Sequence, residues 1–309
     1  MTMKSFYDLE TVCENRFASI RDWWHVWTPE SYELLFTNDD DFKSAMFIIG
    51  FVVASFPGVR LITFQIMSNH LHFTITGEER QVDECLRRIR YYLGRYFDKT
   101  GRKGILNKLD CNYRKIMDLQ EARNVIVYNN RNGYVVHPEH SPFSYPWGAN
   151  SYYYSPFAWK YYNEKRRSFT VRERRSFIHS HEADAVDSVM SLDGCPAPPS
   201  FCDIPLGESL FRDASHYFYL ISKNIESQKD IAKSIGESVF YTDDELYRMV
   251  SVTCKDKYGQ SSPSLIPGDA KIEIAKVMHY DYNASQKQIC RMLKLSPSVL
   301  VQSGLMQGR

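Results

Sequence analysis

Two histidines separated by one residue, His70 and His72, are the side chains of this sequence with the clearest potential for chemistry. They lie in residues 64–75 (FQIMSNHLHFTI), whose alternating pattern is typical of a β-strand. Because alternate residues of a strand point to the same face, both imidazoles are expected to project together. Two imidazoles on one face form half of a divalent-metal site, whereas a single HxH by itself is a weak motif.

A second element, residues 128–133 (YNNRNG), supplies a nucleophile and a further ligand. Tyr128 and Asn132 are four residues apart, so on a helix they share one face. If that face packs over His70 and His72, the Asn132 carbonyl oxygen and two imidazoles suit Mg²⁺ or Mn²⁺. Such an ion polarises a scissile phosphate, and a tyrosine phenolate attacks phosphorus to form a covalent product. The structural alternative is that Tyr128 only packs, as most of the 21 tyrosines must, and that Asn132 and Gly133 only end a helix.

The elements that must position these residues follow a recognisable order. Strands are predicted at 22–28, 59–66, 70–76 and 113–117. Helices are predicted from a cap at 38–41 to about 55, over 78–97, and over 119–132 with its end at Gly133. The order β-α-β-β-α-β followed by a helix is that of the split βαβ, or ferredoxin-like, fold. The sequence therefore predicts an α+β domain with an antiparallel sheet.

The chain divides by composition into three parts. Residues 1–154 form the first domain, residues 155–206 a basic and proline-containing connector, and residues 207–309 an all-helical C-terminal domain. Within the last part, short helices at 269–278, 285–293 and 296–305 make residues 269–305 a candidate helix-turn-helix. A plain helical bundle is the alternative.

These residues carry a resemblance to a known family. Residues 66–73 (IMSNHLHF) resemble the family motif hydrophobic-Met-x-Asn-His-x-His-hydrophobic, and residues 128–133 resemble its Tyr-x-x-x-Asn-Pro motif. Residues 144–150 (SYPWGAN) resemble the aromatic-Pro-Trp run that follows. Residues 22–154 thus look like the HUH single-tyrosine transposases, the insertion sequence 200-like group that includes the REP-associated tyrosine transposases. The chain departs from the pattern at Asn129, where an apolar residue is common, at Gly133, which replaces proline, and at Gly148, which replaces serine.

The resemblance implies a ferredoxin-like nuclease that cleaves and rejoins single-stranded DNA. Tyr128 would form a 5′-phosphotyrosine intermediate, and His70, His72 and Asn132 would hold Mg²⁺ or Mn²⁺. The expected partner is single-stranded or hairpin DNA, and a homodimer is common in the family. Two other functions remain open: an inactive or domesticated relative that binds DNA hairpins or regulates transcription, and an unrelated metal hydrolase that uses water as its nucleophile.

Charge and composition restrict where DNA could bind and where the protein works. The formal net charge of +1 predicts no globally basic surface. The candidate DNA contacts are therefore local. They are the basic residues Arg87, Arg88, Lys165, Arg166 and Arg167 and, as a sequence-reading residue of the helix-turn-helix, Gln302. The seven scattered cysteines lack a CxxC pair, which favours a reducing, cytoplasmic location. The apolar run 45–54 is too short to span a bilayer and predicts a buried helix, so no membrane partner is expected.

Three further groups of residues resemble functional sites but are not expected to be functional. His179 and His181 form a second HxH in a polar stretch and are expected at the surface. His25 is expected to be a core histidine. The acidic residues 39–41 are expected to be helix-start charges favoured by the helix dipole.

Overall fold

The computed structural model describes residues 3–28, 35–106, 111–136, 143–222, 243–260, 262–280, 282 and 284–305. The chain divides into two compact units. The first contains residues 1–133 and 140–222, and the second contains residues 134–139 and 223–309. Residues 155–206, expected to form a connector, belong to the first unit, and the division falls at residue 222 instead of 206.

The first unit combines a small antiparallel sheet with helices, which gives an α+β fold. Its strands and helices in chain order are α1 (Met3–Ala18), β1 (Trp23–Trp27), α2 (Asp39–Ala54), β2 (Arg60–Ile66), β3 (Leu71–Thr76), α3 (Glu79–Lys99), β4 (Asn112–Ile116), α4 (Leu119–Val136), α5 (Pro156–Lys165), β5 (Arg167–Ser168), α6 (Val171–Ile178), β6 (Met190–Leu192), β7 (Cys195–Pro196), α7 (Ile204–Glu208) and α8 (Ala214–Ile221). Sequence analysis did not identify α1 or the second, three-stranded sheet β5-β6-β7.

The main sheet has the strand order β2-β3-β1-β4, with all neighbouring strands antiparallel. Register places His72 opposite Trp27 on one side and opposite Gln65 on the other. Since residues opposite each other point to the same face, these three side chains share one face of the sheet. Phe64 and Phe73 form a pair on the opposite face. The sheet thus has one apolar face and one face rich in polar residues.

Helices α2 and α3 cover the apolar face. Asn38 caps α2 by accepting a hydrogen bond from the Asp41 N–H, as the cap at 38–41 predicted. The rings of Phe51 and Tyr92 hold the two helices together at a centroid distance of 5.2 Å. The outer side of α2 is covered by α6, where Phe177 stacks on Phe47 at 4.9 Å. This second cover explains why α2 is apolar almost all round.

Helix α4 covers the polar face and extends further than predicted. Its predicted end at Gly133 is wrong, because the helix continues to Val136. A glycine inside a helix costs only about 1 kcal/mol relative to alanine, and unlike proline it keeps the N–H that the helical ladder needs. The buried Arg123 of α4 donates to Glu10 of α1 at 2.6 Å and to the Leu210 carbonyl at 2.6 Å. These bonds connect α4 to α1 and to the segment between α7 and α8.

The described part of the second unit consists of helices joined by turns. Its helices are Asp243–Tyr258, Gly268–Tyr280, Gln286–Leu293 and Pro297–Gln302. They share a core that includes Ile274, Met278, Ile289, Leu293 and Leu300. The last three helices lie close to their predicted ranges, but the final helix ends at Gln302 and not at residue 305.

Within the ranges given above, no helix is both long enough and apolar enough to cross a bilayer. The apolar run 45–54 belongs to the buried helix α2, as predicted.

Candidate metal and tyrosine site

His70 and His72 meet at the start of β3. Their ring centroids lie 4.8 Å apart with the ring planes nearly perpendicular. His72 is on β3 itself, and His70 immediately precedes the strand in the short link from β2. The two imidazoles therefore lie on alternate backbone positions at the start of β3, as the HxH spacing predicted.

Hydrogen bonds set the tautomer of each imidazole. Nδ1 of His70 lies 2.7 Å from the Asn69 side-chain oxygen, which can only accept, so Nδ1 carries the proton. Nε2 of His72 lies 3.2 Å from the Asn132 amide nitrogen, which can only donate, so this Nε2 is the basic nitrogen. In the neutral rings, each Nε2 therefore carries a lone pair. A partner on Nδ1 that leaves Nε2 as the basic nitrogen, as at His70, is typical of metal-binding histidines, whereas at His72 the Asn132 N–H contacts the nitrogen that would bind the metal.

Tyr128 and Asn132 lie on the face of α4 that covers His72. The Tyr128 ring approaches the His72 ring edge-on at a centroid distance of 5.7 Å. Asn132, one turn later, contacts the same imidazole. The i, i+4 relation predicted this shared face. The Asn132 amide turns its nitrogen toward His72, so presenting its oxygen to an ion requires a rotation of about 180° of the carboxamide.

Three neighbouring asparagines explain why α4 packs on this face of the sheet. Asn129 donates to the Thr74 hydroxyl of β3 at 3.0 Å, and the Thr63 hydroxyl of β2 donates to Asn130. Asn132 contacts His72. Buried polar groups must be hydrogen-bonded, and here the helix and the sheet satisfy each other. Asn129, a departure from the family pattern, is therefore explained by its bond to Thr74.

The site is buried. His70, His72, Tyr128 and Asn132 each expose between 1% and 3% of their surface. Burial lowers the pKa of His70 to about 3, and burial followed by the neighbouring His70 and His25 lowers the pKa of His72 well below its usual value. Both imidazoles are neutral near pH 7, which is the protonation state that binds metal.

His25 also faces this site. It lies on β1 and is fully buried, and its ring is nearly parallel to that of His72 with the centroids 6.4 Å apart. Burial and the charge of Arg114 lower the pKa of His25 to about 3, although a hydrogen bond with Asn129 acts in the other direction. His25 is a core histidine, as predicted, and it lies beside the candidate site.

Sequence analysis missed Gln65. This residue pairs with His72 across β2 and β3, is buried, and has a side-chain oxygen that no described group hydrogen-bonds. A signal was present in the sequence, because Thr63 and Gln65 alternate with the apolar Ile62, Phe64 and Ile66 along β2. That alternation marks the polar face of a strand.

Residues 145–149, which follow α4 in the chain, pack against β2 beside Gln65. The Ile66 N–H donates to the Trp147 carbonyl at 2.9 Å, and the Tyr145 hydroxyl donates to the Ile66 carbonyl at 2.7 Å. A Cβ atom at Gly148 would lie 2.3 Å from the side-chain oxygen of Gln65. Gly148, the departure from the family's serine, is therefore needed for the close approach of the Gln65 amide.

The donor set fits a divalent ion without carboxylates. Among the described residues, no three His, Cys, Asp or Glu side chains come together as a metal-binding group. The site instead offers two neutral imidazoles with the amides of Asn132 and Gln65 beside them. Oxygen and imidazole donors suit Mg²⁺ or Mn²⁺, and the orphaned oxygen of Gln65 is a buried acceptor that a cation would satisfy.

The predicted DNA contacts lie outside this site. Arg87 and Arg88 are on α3, which packs on the opposite face of the sheet from α4. Arg87 is already paired with Asp83 at 2.8 Å, and Arg88 lies 3.9 Å from Glu182. These pairs reduce the positive charge that either arginine can offer to phosphate.

The remaining basic candidates are on α5 and its continuation. Lys165 and Arg166 are exposed, and the Arg166 guanidinium lies 5.0 Å from the centroid of the Tyr162 ring. Arg167 forms a two-bond ion pair with Glu173. Gln302 is exposed at the end of helix Pro297–Gln302 in the second unit.

The other expectations about non-functional residues hold with one correction. His179 and His181 are exposed, as predicted. Asp39 and Asp40 are exposed at the start of α2, but Asp41 is buried and pairs with Arg102. Burial raises the pKa of Asp41, yet hydrogen bonds, chiefly from Arg102, outweigh it and hold this pKa below its usual value. Asp41 thus joins α2 to the end of α3.

Comparisons with known proteins found no match: no family model matches this chain, and neither do any curated protein or solved structure.

Proposed function

We propose that this protein is a DNA transposase of the single-tyrosine type, which cleaves and rejoins single-stranded DNA with a divalent metal ion. The observation that carries the proposal is the meeting of Tyr128, Asn132 and His72. Tyr128 follows His72 by 56 residues in the sequence, yet the rings of the two residues lie 5.7 Å apart. Two motifs that were found separately thus form one site.

The strand arrangement supports the same proposal. The order β2-β3-β1-β4 with antiparallel neighbours corresponds to the split βαβ, ferredoxin-like arrangement that the resemblance implies. In this arrangement α4 follows the last strand and covers the face opposite α2 and α3. We infer that α4 is an addition to the ferredoxin-like core that brings the nucleophile to the histidines.

The proposed chemistry divides among the residues of the site. His70, His72 and Asn132 would hold Mg²⁺ or Mn²⁺, which when bound polarises the scissile phosphate. The Tyr128 hydroxyl loses its proton and forms a bond to phosphorus, while the bond from phosphorus to the 3′ oxygen breaks and that oxygen takes up a proton. The product is a 5′-phosphotyrosine. Reversal with another 3′ hydroxyl rejoins the strand without an external energy source.

The second unit is proposed to read DNA through a helix-turn-helix. Helix Gln286–Leu293 begins with a capping box from Ser285 and Gln288 and ends at Lys294 in the left-handed conformation. A short turn then leads to helix Pro297–Gln302, at whose start Ser296 and Ser298 are exposed. Such a second helix places polar side chains in a major groove. Hairpin or end sequences are the proposed targets.

A covalent-adduct assay tests the catalytic proposal. Purified protein is mixed with Mn²⁺ and labelled single-stranded hairpin DNA from the flanks of its own gene, and the adduct is resolved on a denaturing gel. We expect an adduct from the wild type and none from Tyr128→Phe or His70→Ala. Tyr113→Phe is the matched control, because Tyr113 pairs with Val26 on the apolar side of the sheet. Cleavage that persists in Tyr128→Phe would indicate a water-dependent hydrolase instead.

The burial of the site favours a second candidate, a relative that binds DNA hairpins or regulates transcription without catalysis. Tyr128 exposes only 3% of its surface, so a DNA phosphate reaches it only if the surrounding side chains move. This candidate predicts hairpin binding that Tyr128→Phe leaves unchanged and no adduct with any metal. A fluorescence-anisotropy titration with the same hairpin, run beside the gel assay, separates the two candidates.

A further inference from the structure

We infer that Gln65 is a further protein ligand of the divalent ion, a role that neither the histidine motif nor the tyrosine motif indicates. The inference rests on the proposed function, since it concerns the same metal site. The observation behind it is the side-chain oxygen of Gln65, which is buried on the polar face of the sheet without a hydrogen-bond donor among the described residues.

The position of Gln65 follows from strand register. Gln65 lies directly opposite His72 in the antiparallel pair β2-β3. Opposite residues point to the same face with their Cβ atoms about 5 Å apart, so the amide and the imidazole emerge side by side. Asn132 reaches the same imidazole from α4. Gln65 and Asn132 therefore approach His72 from two different elements, the sheet and the covering helix.

The surroundings keep the amide of Gln65 where it is. Gly148 leaves the space that the side-chain oxygen occupies, and a Cβ there would lie 2.3 Å from that oxygen and 2.8 Å from the amide carbon. The backbone of the same segment is bonded to β2 on both sides of Gln65, through Trp147 to Ile66 and through Ala149 to Phe64. A buried carbonyl oxygen that is held in place and lacks a donor is suited to binding a cation.

The chemistry of the donor set agrees with this role. Mg²⁺ and Mn²⁺ prefer oxygen donors, and the two histidines supply nitrogen only. With Gln65, and with the Asn132 carboxamide rotated, the site offers two amide oxygens as well as two imidazoles, all uncharged. The scissile phosphate would then be the first negative charge to reach the ion, so the metal's charge is left for the substrate.

Metal binding, measured without DNA or turnover, tests the inference. Mn²⁺ is titrated into the full chain in the Tyr128→Phe background, with isothermal calorimetry and the electron paramagnetic resonance signal of free Mn²⁺ as readouts. We expect Gln65→Met to weaken Mn²⁺ binding by about 10-fold or more. Gln65→Glu, which keeps an oxygen donor and adds charge, should bind at least as tightly as the parent. Thr76→Val is the matched control, since Thr76 lies on the same face of the sheet as His72 but pairs with Trp23 at the far end of β3.

Each result is decisive. Weakened binding in Gln65→Met with recovery in Gln65→Glu supports the inference, and unchanged binding in Thr76→Val excludes a general effect of altering the polar face. If Gln65→Met binds like the parent while His70→Ala does not bind, Gln65 is not a ligand and the proposed metal site stands. If the parent shows no saturable Mn²⁺ binding, the metal site itself is refuted. Urea unfolding, followed by tryptophan fluorescence, verifies that every variant is folded.

Discussion

Acidification should destabilise the metal-free protein through its buried histidines. Burial lowers the pKa of His70 and of His25 to about 3, and that of His72 well below its usual value. In the unfolded chain these groups titrate near 6.5. Below pH 6.5 the unfolded state therefore binds more protons than the folded state. The stability that the neutral histidines contribute is present above pH 6.5 and is lost as the pH falls toward 3.

The size of the effect follows from the shifts. At pH 5.5, one unit below the unfolded pKa, each buried histidine lowers the free energy of unfolding by about 1.4 kcal/mol. Three such groups together give about 4 kcal/mol, a large part of the stability of a typical domain. His216, which lies in the same unit and whose pKa burial lowers to about 4, adds a smaller amount. Buried carboxylates such as Asp41, whose pKa is held below its usual value of 3.8, contribute only at lower pH.

Urea unfolding in EDTA at pH 7.5 and 5.5 measures this loss. All five tryptophans lie in the first unit, so their fluorescence reports on the unit that holds the site. His25→Gln should reduce the loss by about 1.4 kcal/mol, whereas His181→Gln, which alters an exposed histidine, should leave it unchanged. A loss below about 1 kcal/mol in the wild type would refute the reasoning, because it would mean that the histidines are hydrated in solution.

Three further substitutions test the packing. Gly148→Ala should lower the free energy of unfolding by about 1–3 kcal/mol, because the new Cβ meets the side-chain oxygen of Gln65. Adding Gln65→Ala should restore part of this loss in urea unfolding. A double variant that is no more stable than Gly148→Ala would contradict the explanation. Arg123→Met should cost about 1–2 kcal/mol in the same assay, because Glu10 keeps only its pair with Arg212 and the Leu210 carbonyl loses its donor. A cost near zero would show that these bonds are replaceable. Leu293→Ala should lower the free energy of unfolding by about 2–5 kcal/mol, because Leu293 is fully buried in the core of the second unit. Thermal unfolding followed by circular dichroism measures this change, and an unchanged transition would place Leu293 outside that core.

The main elements were predictable because their signals are local. Period-two alternation marked β2 and β3, and the cap at Asn38 marked the start of α2. The relation between Tyr128 and Asn132 also needed only the helical repeat, because residues four apart on a helix share a face. The end of α4 was not predictable in the same way, since Gly133 permits either a stop or continuation.

Contacts between distant segments were beyond the reach of these patterns. The cover that α6 provides for α2 depends on residues more than 100 positions apart, such as Phe47 and Phe177. The strands of the second sheet are only two or three residues long, which is too short to show an alternating pattern. The polarity of Gln65 was visible in the sequence, but its partner was not. Only the strand register shows that it faces His72 and not solvent.

The sequence by itself determined the chemical groups and their local spacing: an HxH on a strand, a tyrosine and an asparagine one helical turn apart, and the alternation that gives the sheet a polar face. The tertiary structure decided which of these groups meet. Asn129 donates to Thr74 of the sheet and Asn130 accepts from Thr63. These hydrogen bonds select the face on which α4 lies, and this selection places Tyr128 beside His72. Such pairing depends on complementarity between two buried polar surfaces, which no local repeat encodes.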